Sequence, residues 1–276
     1  MKKYISYLLF LTCLVSTAQP GYSDTTYGTN GAALLCDNYA PLIRAGLQSD
    51  EKLVYLASSG GIDAARLGRI SAQGELDNSF GTGGYVRLGQ DNYPALGSNS
   101  GYSPVDIAIQ PDDKIVFLGR RFIGFDWQVF VIRMLPDGTP DPSFNGTGYR
   151  HFSFGDQLDI GHCIGVQPDG KIVIAGTSGE GQSLFALARL NQDGSFDSGF
   201  RTNGNVLTEV PGSSQSNLKD IAFLPDGRIV VGGDVVFTKK QYAAARYLPN
   251  GTLDPTFGSG GIAVIPNLQA NGSEVF

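Results

Sequence analysis

The segment Gln167-Pro-Asp-Gly-Lys-Ile-Val-Ile-Ala-Gly176 joins a tight-turn signal to a short apolar run, and it decides the fold. Its Asp-Gly pair tolerates the positive φ that a tight hairpin requires. The run 172–175 is apolar at successive positions, so both faces of this strand are expected to be covered by neighbouring sheets. The segment therefore predicts a hairpin whose second strand lies inside a stack of sheets.

Three short motifs recur in the same order along the chain, which is the signature of a repeat protein. The hairpin occurs at residues 48–54, 110–116, 167–173 and 224–230, and its basic residue recurs at intervals of 62, 57 and 57. A second turn lies at 69–77, 133–141, 189–197 and 246–254. The third motif, Asp-x-x-aromatic followed by a Gly-rich bend, is centred on Tyr27, Phe80, Phe144, Phe200 and Phe257.

Turn signals divide each repeat into four short apolar runs, so each is expected to form four strands, here called a, b, c and d. The sequence predicts an all-β fold: a β-propeller-like array of four-stranded antiparallel blades. The four complete repeats of about 57 residues span about 43–89, 105–154, 162–210 and 219–266. A β-helix is the rival architecture, but its coils are shorter and do not reverse at Asp-Gly hairpins.

Partial strands remain at both ends of the predicted propeller region, 31–276. Residues 31–36 resemble a strand d without its own first three strands, and 271–276 resemble the opening of a strand a. These pieces favour an open arc over a strained four-bladed ring. Because an open arc exposes blade edges, self-association is expected.

The first residues have the layout of a secretory signal peptide. Lys2 and Lys3 precede an apolar run, and small residues follow at 16–18. We expect a signal peptide over 1–18, with cleavage nearer Ser23 as the alternative, and a lead-in over 19–30. Lipidation at Cys13 is disfavoured because Thr12 is large for such a site. The sequence thus predicts an exported protein, periplasmic or extracellular.

Charge and hydropathy exclude two classes of partner. Loss of Lys2 and Lys3 would take the formal charge from −6 to −8. Nucleic-acid binding normally needs a basic face, and no run of Lys or Arg exceeds two. The apolar N-terminal run is too short to cross about 30 Å of hydrocarbon. We therefore expect no nucleic-acid partner and no membrane span.

The repeats resemble a known family. The phrases at 167–176, at 189–197 (Arg-Leu-Asn-Gln-Asp-Gly-Ser-Phe-Asp) and at 254–261 (Asp-Pro-Thr-Phe-Gly-Ser-Gly-Gly) are similar to the delta-60 repeat family of bacterial proteins. The resemblance covers nearly all of 24–276. It implies a β-propeller, bacterial export and an unknown function, and it transfers no catalytic residue.

Strand order predicts where a binding site would lie. The a–b and c–d turns share one edge of the array, here called the turn rim, and the b–c and d–a loops share the other, the loop rim. Variable loops on a rigid scaffold commonly bind ligands. The insertions at 89–104 and 120–127 bring hot-spot residue types to the loop rim. The candidate binding residues are Tyr93, Tyr102, Arg120, Arg121, Phe122, Phe125 and Trp127. The alternative is that they merely cover one blade.

A second candidate lies on the innermost strands, where Arg44, Asp106 and Asp220 align with Cys163. These charges could form a ring at the mouth of a central channel, or could simply be solvated. Two histidines exclude a His-rich metal site, and His162 is interpreted as strand packing. The motif aspartates are expected to bond nearby backbone N–H groups rather than calcium, which needs six to eight oxygens. No metal and no cofactor are predicted.

The sequence favours a non-enzymatic binding or scaffolding module whose partner is an unknown protein or glycan. The Gly-x-Ser-x-Gly, His-Glu-x-x-His and Gly-Lys-Ser/Thr motifs are absent. The alternative is a propeller-type glycan hydrolase or lyase using channel carboxylates, which would need Asp106, Asp220 or Asp126 to pair about 5–9.5 Å apart. Cys36 and Cys163 are expected on different strands and not bonded to each other.

Overall fold

The computed structural model describes residues 26–29, 32–33, 41–58, 65–88, 102–123, 126–155 and 158–265. The regular elements over these residues are all β-strands. No helix in the described ranges is long and apolar enough to cross a membrane. The predicted signal peptide, 1–18, lies outside the described part of the chain.

Sixteen strands form four antiparallel sheets, each with its strands in chain order. The first blade contains β1 (Leu42–Leu47), β2 (Leu53–Ala57), β3 (Ala65–Ile70) and β4 (Tyr85–Leu88). The second contains β5 (Tyr102–Ile109), β6 (Ile115–Ile123), β7 (Asp126–Met134) and β8 (Tyr149–Phe152). The third contains β9 (Ile160–Val166), β10 (Ile172–Ser178), β11 (Leu184–Leu190) and β12 (Asn205–Thr208). The fourth contains β13 (Gln215–Phe223), β14 (Ile229–Val236), β15 (Lys240–Tyr247) and β16 (Ile262–Ile265).

The predicted all-β propeller of four-stranded antiparallel blades is confirmed. The first strands pack side by side in the order β1, β5, β9 and β13, so strand a of each blade is innermost. Strand β10 is buried at every position, as its unbroken apolar run predicts. Blade 4 makes no extensive packing with blade 1 within the described residues. The two end blades of the arc therefore each pack against one neighbouring blade, whereas the inner blades pack against two.

The turn rim is built from two repeated turns per blade. In the a–b hairpin of blade 3, Gln167 N–H donates to Lys171 C=O and Gly170 N–H donates to Gln167 C=O, at 2.8 Å each. In the c–d turn, Asp193 accepts hydrogen bonds from the backbone and the hydroxyl of Ser195. These short polar side chains favour turns because they bond to backbone two residues away. The repeated Asp-Gly phrases are therefore structural.

Each blade contains one ionic cluster that ties strand c to both turns. In blade 2, Asp141 is paired with Arg133 Nε at 2.8 Å and with Lys114 Nζ at 3.7 Å. The equivalent acids are Asp77, Asp197 and Asp254. Burial raises the pKa of Asp141, but hydrogen bonds from Ser143 and the charges of Arg133 and Lys114 outweigh it and hold the pKa below its usual value. The carboxylates bind Ser and Thr groups two residues on, as expected for non-calcium turns.

The arginine of this cluster also joins one blade to the next. Its Nη1 donates to a backbone carbonyl in the c–d turn of the following blade, and its guanidinium stacks on the aromatic residue of its own Asp-x-x-aromatic motif. The carbonyl partners of Arg69, Arg133 and Arg189 belong to Pro136, Gln192 and Pro249. The guanidinium carbons lie 4.9, 4.9 and 4.3 Å from the ring centroids of Phe80, Phe144 and Phe200.

The aromatic residue and its successor complete the contact. The residue after each phenylalanine donates its N–H to the next carbonyl of the same turn: Gly81 to Asp137, Asn145 to Asp193 and Arg201 to Asn250, at 2.7–2.8 Å. We call the strand-c arginine, the motif aromatic and the residue after it the latch of a blade. The latches are Arg69, Phe80, Gly81; Arg133, Phe144, Asn145; Arg189, Phe200, Arg201; and Arg246, Phe257, Gly258.

Hydrophobic cores fill the spaces between blades rather than one common centre. Separate clusters of buried side chains join blades 1 and 2, blades 2 and 3, and blades 3 and 4. Phe80, Phe144 and Phe200 are fully buried at these interfaces. Each blade therefore depends on its neighbours for the burial of both faces.

A short N-terminal segment completes part of a latch against blade 1. Gly28 N–H donates to Gln73 C=O at 2.7 Å, as the residue after each phenylalanine does elsewhere. Thr29 and Ala32 form a β-bridge equivalent to that of Thr82 and Tyr85. Residues 26–29 and 32–33 thus lie against the outer face of blade 1, where the sequence placed a spare strand d at 31–36; residues 31 and 34–36 lie outside the described ranges.

A glycine in each c–d turn lets the preceding phenylalanine approach. Gly194 has φ +83°, and a Cβ there would lie 2.8 Å from the buried ring of Phe144. Gly146 has φ +72° but no atom within 4 Å of its Cβ position. Substitution by alanine would therefore strain the backbone at both positions, but only at Gly194 would the new methyl group collide with a neighbouring side chain.

We predict that Gly194→Ala lowers the free energy of unfolding by about 1–3 kcal/mol more than Gly146→Ala does, because only the former overpacks an interface. Both substitutions place a Cβ at positive φ, which costs about 1–2 kcal/mol. Urea unfolding of the two variants and the wild type measures the difference. Equal losses would show that the phenylalanine contact is unimportant.

Candidate functional site

A β-bulge interrupts the pairing of strands a and b near the start of every strand a. The register shift leaves one residue unpaired in each blade: Ile43, Val105, His162 and Lys219. Bulges are frequent beside functional sites because they re-aim a side chain. The bulge residues of blades 1 and 2 pack against the hydrophobic cores between blades, whereas those of blades 3 and 4 are ionisable.

His162 lies near two basic side chains, and one nitrogen of its imidazole ring makes no hydrogen bond to the described residues. Burial, reinforced by the positive charges of Lys219 and Arg120, lowers the pKa of His162 to about 4, while Asp234 opposes the shift. Its buried Nε2 has no hydrogen-bond partner among the described residues. Asp234 is itself paired with Lys240 at 3.1 Å. The neutral imidazole is therefore held where positive charge is in excess.

Arg120 and Trp127 lie together on the same blade. The Arg120 guanidinium carbon is 5.3 Å from the centroid of the Trp127 ring, a cation–π distance. In the register of β6 and β7, Phe122 pairs with Trp127 and Arg120 with Val129, so Arg120 and Trp127 share a sheet face. The buried Nε of Arg120 has no partner in the part of the chain that is described.

The insertion 120–127 differs from its prediction as a loop. Arg120, Arg121 and Phe122 lie in β6 and Trp127 in β7, because the hairpin extends to the pair Ile123–Asp126. Tyr102 lies in β5 and pairs with Arg121. The inserted residues extend the two strands instead of interrupting them. Tyr93 and Phe125 fall outside the described residues.

The channel-mouth residues form a structural contact rather than a ring of free charges. Arg44 Nε binds Asp106 Oδ1 at 2.8 Å, and Asp106 Oδ2 accepts the Ile164 N–H at 3.0 Å, so this buried carboxylate connects blades 1, 2 and 3. Burial raises the pKa of Asp106, against the hydrogen bond from Ile164 and the charge of Arg44. Asp220 is exposed and accepts the N–H of Ile221.

Cys163, at the aligned position in blade 3, is a free, buried thiol. Burial raises its pKa, and the charges of Asp106 and Asp220 add to the effect. The thiol packs into the core between blades 3 and 4. Cys36 lies outside the described residues. Within the described ranges, no group of three or more His, Cys, Asp or Glu side chains could hold a metal ion.

Two cavities open on the turn rim. One of about 900 Å³ lies where strands a of blades 1 to 3 end, lined by Gln48, Gln110 and Gln167 among others. One of about 450 Å³ lies between blades 2 and 3, lined by Lys114 and Arg133 among others. Because Arg133 and Lys114 belong to the ionic cluster of blade 2, this second cavity is part of the blade contact.

His162 and Lys219 were missed as site residues by the sequence interpretation. The repeat alignment places Cys163 and Asp220 at one position but does not reveal that the residue before each is a bulge. A signal was present, since both bulge residues are polar, whereas Ile43 and Val105 stand at the equivalent positions of blades 1 and 2. Aligning strand a by its register rather than by its turn would have found them.

Three stretches of the chain match the model of a β-propeller domain of unknown function (DUF5122): 110–144, 167–200 and 224–257. Each extends from the a–b hairpin to the latch phenylalanine of one blade. Blade 1 has the same topology outside the matched stretches. The chain is therefore a β-propeller repeat protein. None of the curated proteins matches it.

Several solved structures resemble the chain at low identity. A PL25 ulvan lyase, a polysaccharide lyase, is 9% identical with a TM-score of 0.49 over 77% of this chain and 53% of the lyase. A protein of unknown function from Dyadobacter fermentans is 10% identical with a TM-score of 0.47 over 80% and 69% of the two chains. A mannose phosphorylase from Leishmania mexicana is 11% identical, with a TM-score of 0.45 over 85% and 71%. The chain thus spans about half of the length of the lyase.

We predict that His162 makes stability depend on pH. Its folded-state pKa of about 4 lies below the ordinary value of about 6.5, so protonation favours the unfolded chain. The free energy of unfolding should therefore fall as the pH decreases from about 6.5 to 4, by about 1–2 kcal/mol after allowance for partial exposure.

Urea unfolding at several pH values measures this dependence. His162→Gln should remove this part of the slope, and the matched control is His151→Gln, which changes an exposed histidine on β8. An unchanged slope in His162→Gln would contradict the assignment.

Proposed function

We propose that this chain is an exported, non-enzymatic binding module that holds an anionic ligand at the loop rim. The residues that contact the ligand are Arg120, Trp127, His162 and Lys219. The observation that carries the proposal is a pair of buried side-chain nitrogens, His162 Nε2 and Arg120 Nε, that have no partners in the described chain. The positive charges of Arg120 and Lys219 both act on His162. Buried polar atoms normally have partners, so a bound ligand would supply the missing acceptors.

Charge and aromatic character define the ligand class. The protein carries a formal charge of −6, so the local excess of positive charge around His162 is opposite in sign to the charge of the whole protein. Trp127 adds an aromatic surface beside the Arg120 guanidinium. Tryptophan and arginine supply most of the energy at many binding sites. We infer an acidic glycan, whose sugar rings would pack on Trp127 and whose carboxylate or sulfate groups would meet the cations.

The ionisable groups of the repeat support a binding role over catalysis. The motif aspartates and arginines are engaged in blade contacts, and both oxygens of Asp106 accept hydrogen bonds. A general acid must instead be free to release its proton to a substrate.

We predict that the purified chain binds an acidic oligosaccharide such as a heparin hexasaccharide more tightly than neutral maltohexaose, measured by calorimetry. Trp127→Ala and Arg120→Gln should each weaken binding about tenfold. The effect of Arg120 should shrink at high salt because its attraction is screened.

Arg201→Gln is the matched control, since it removes the same charge from an exposed side chain away from the loop rim. It should leave affinity nearly unchanged. Equal binding of the acidic and neutral sugars, or equal losses in Arg120→Gln and Arg201→Gln, would overturn the proposal.

A further inference from the structure

Within the described residues, the latch of blade 4 has no following blade to contact. Arg246 keeps the contacts within its own blade: Nε binds Asp254 at 2.8 Å, Nη2 binds Thr256 at 2.9 Å, and the guanidinium stacks on Phe257. Among the described residues, no following turn supplies a carbonyl to its Nη1 or to the N–H of Gly258. Phe257 is only half-buried.

The outer face of blade 4 has the residue pattern of the covered faces. Val230 pairs with Arg246 as Val173 pairs with Arg189 in blade 3, yet Val173 is fully buried and Val230 is partly exposed. On the same face Tyr242 and Ile265 are 54% and 57% exposed. This surface, comprising Ala222, Val230, Ala244, Tyr242, Ile265 and the latch of blade 4, is called the free face.

Blade 1 offers a complementary surface. Its c–d turn, 71–75, has the same hydrogen bonds as those of the other blades, and Gly74 has φ +84°. Gln73 C=O accepts the Gly28 N–H, but the Ala72 carbonyl, equivalent to Pro136 and Pro249, receives no arginine from the described residues. Tyr55, Ala57 and Ile70 form an apolar cluster on this face, and residues 26–33 cover it in part.

We propose that the free face of blade 4 docks onto blade 1 of a second copy of this chain. Arg246 would donate to the Ala72 carbonyl of the second copy. Gly258 N–H would replace Gly28 N–H on the Gln73 carbonyl. The contact continues a blade interface that occurs three times within the chain. Within the described residues of one chain, blades 1 and 4 make no extensive contact, so a second copy supplies the partner surface.

The assembly is a closed head-to-tail dimer. A heterologous contact closes into a ring or grows without limit, depending on its rotation. Two arcs of four blades make eight, which lies within the usual range of about four to eight blades, whereas three arcs exceed it. Residues 26–33 compete for the blade 1 face, since Gly28 and Gly258 require the same carbonyl. The N-terminal segment therefore weakens dimerisation.

Sedimentation velocity of the purified chain over a range of concentrations tests the proposal. The expected result is a monomer–dimer equilibrium. Arg246→Ala should weaken it at least about tenfold. Tyr27→Ser should strengthen it, because Tyr27 packs on Gly74 and holds the competing segment. Arg201→Ala is the matched control and should leave it unchanged, because Arg201 takes part in the latch of blade 3 through its backbone N–H and its exposed side chain lies outside the free face.

Four outcomes would overturn the proposal. If both the wild type and Tyr27→Ser are monomeric at every concentration, the free face is either covered by another part of the same chain or does not bind a second copy. A dimer insensitive to Arg246→Ala would place the contact elsewhere. Species that grow with concentration would exclude the closed ring. Equal losses of dimerisation affinity in Arg246→Ala and Arg201→Ala would show that the effect comes from the change in net charge and not from the latch contact. Since acidic sugar is absent from this assay, its result is independent of the proposed ligand site.

Discussion

One arginine per blade connects the local and the long-range parts of this structure. In blade 3, Arg189 Nε binds Asp197 at 2.7 Å, its guanidinium lies on Phe200, and its Nη1 reaches the Pro249 carbonyl of the next blade at 2.6 Å. A buried cation needs partners for its donors, because an unpaired buried charge is costly. The side-chain oxygen of Gln167, in the same blade, also accepts from Nη1 at 3.3 Å, but the turn of the following blade supplies the shorter contact. The stability of each blade therefore depends on its neighbour.

The same dependence separates structural from functional residues. Conspicuous motif residues, including the aspartates, the hairpin lysines and the turn glycines, take part in turns, ionic clusters and blade contacts. Two buried nitrogens without partners among the described residues, His162 Nε2 and Arg120 Nε, lie outside these motifs, on the bulge of blade 3 and on the extended strand β6. In a repeat protein the groups that depart from the repeat are thus the better candidates for binding, since the repeated groups are needed by the fold.

The blades could be predicted from sequence because their signals are local: Asp-Gly turns, apolar runs and a period near 57 residues. Arg120 and Trp127 could be named from residue type, but not their cation–π contact, which depends on strand register. The spacing from Arg189 to Asp197 predicts a contact within one blade, but it gives no information about the contact of Arg189 with a carbonyl of the next blade. Asp106 appeared as a channel charge because the sequence does not show that Ile164 and Arg44 converge on it.

The central claim is that successive blades are held by the latch, and amide hydrogen exchange tests it most directly. The N–H groups of Gly81, Asn145 and Arg201 each bind a carbonyl of the next blade, whereas that of Gly258 does not within the described chain. In dilute solution, where the chain is monomeric, the first three amides should exchange at least about 100-fold more slowly than Gly258. Exchange of all four at similar rates would contradict the account, because the three interblade hydrogen bonds would then give no protection.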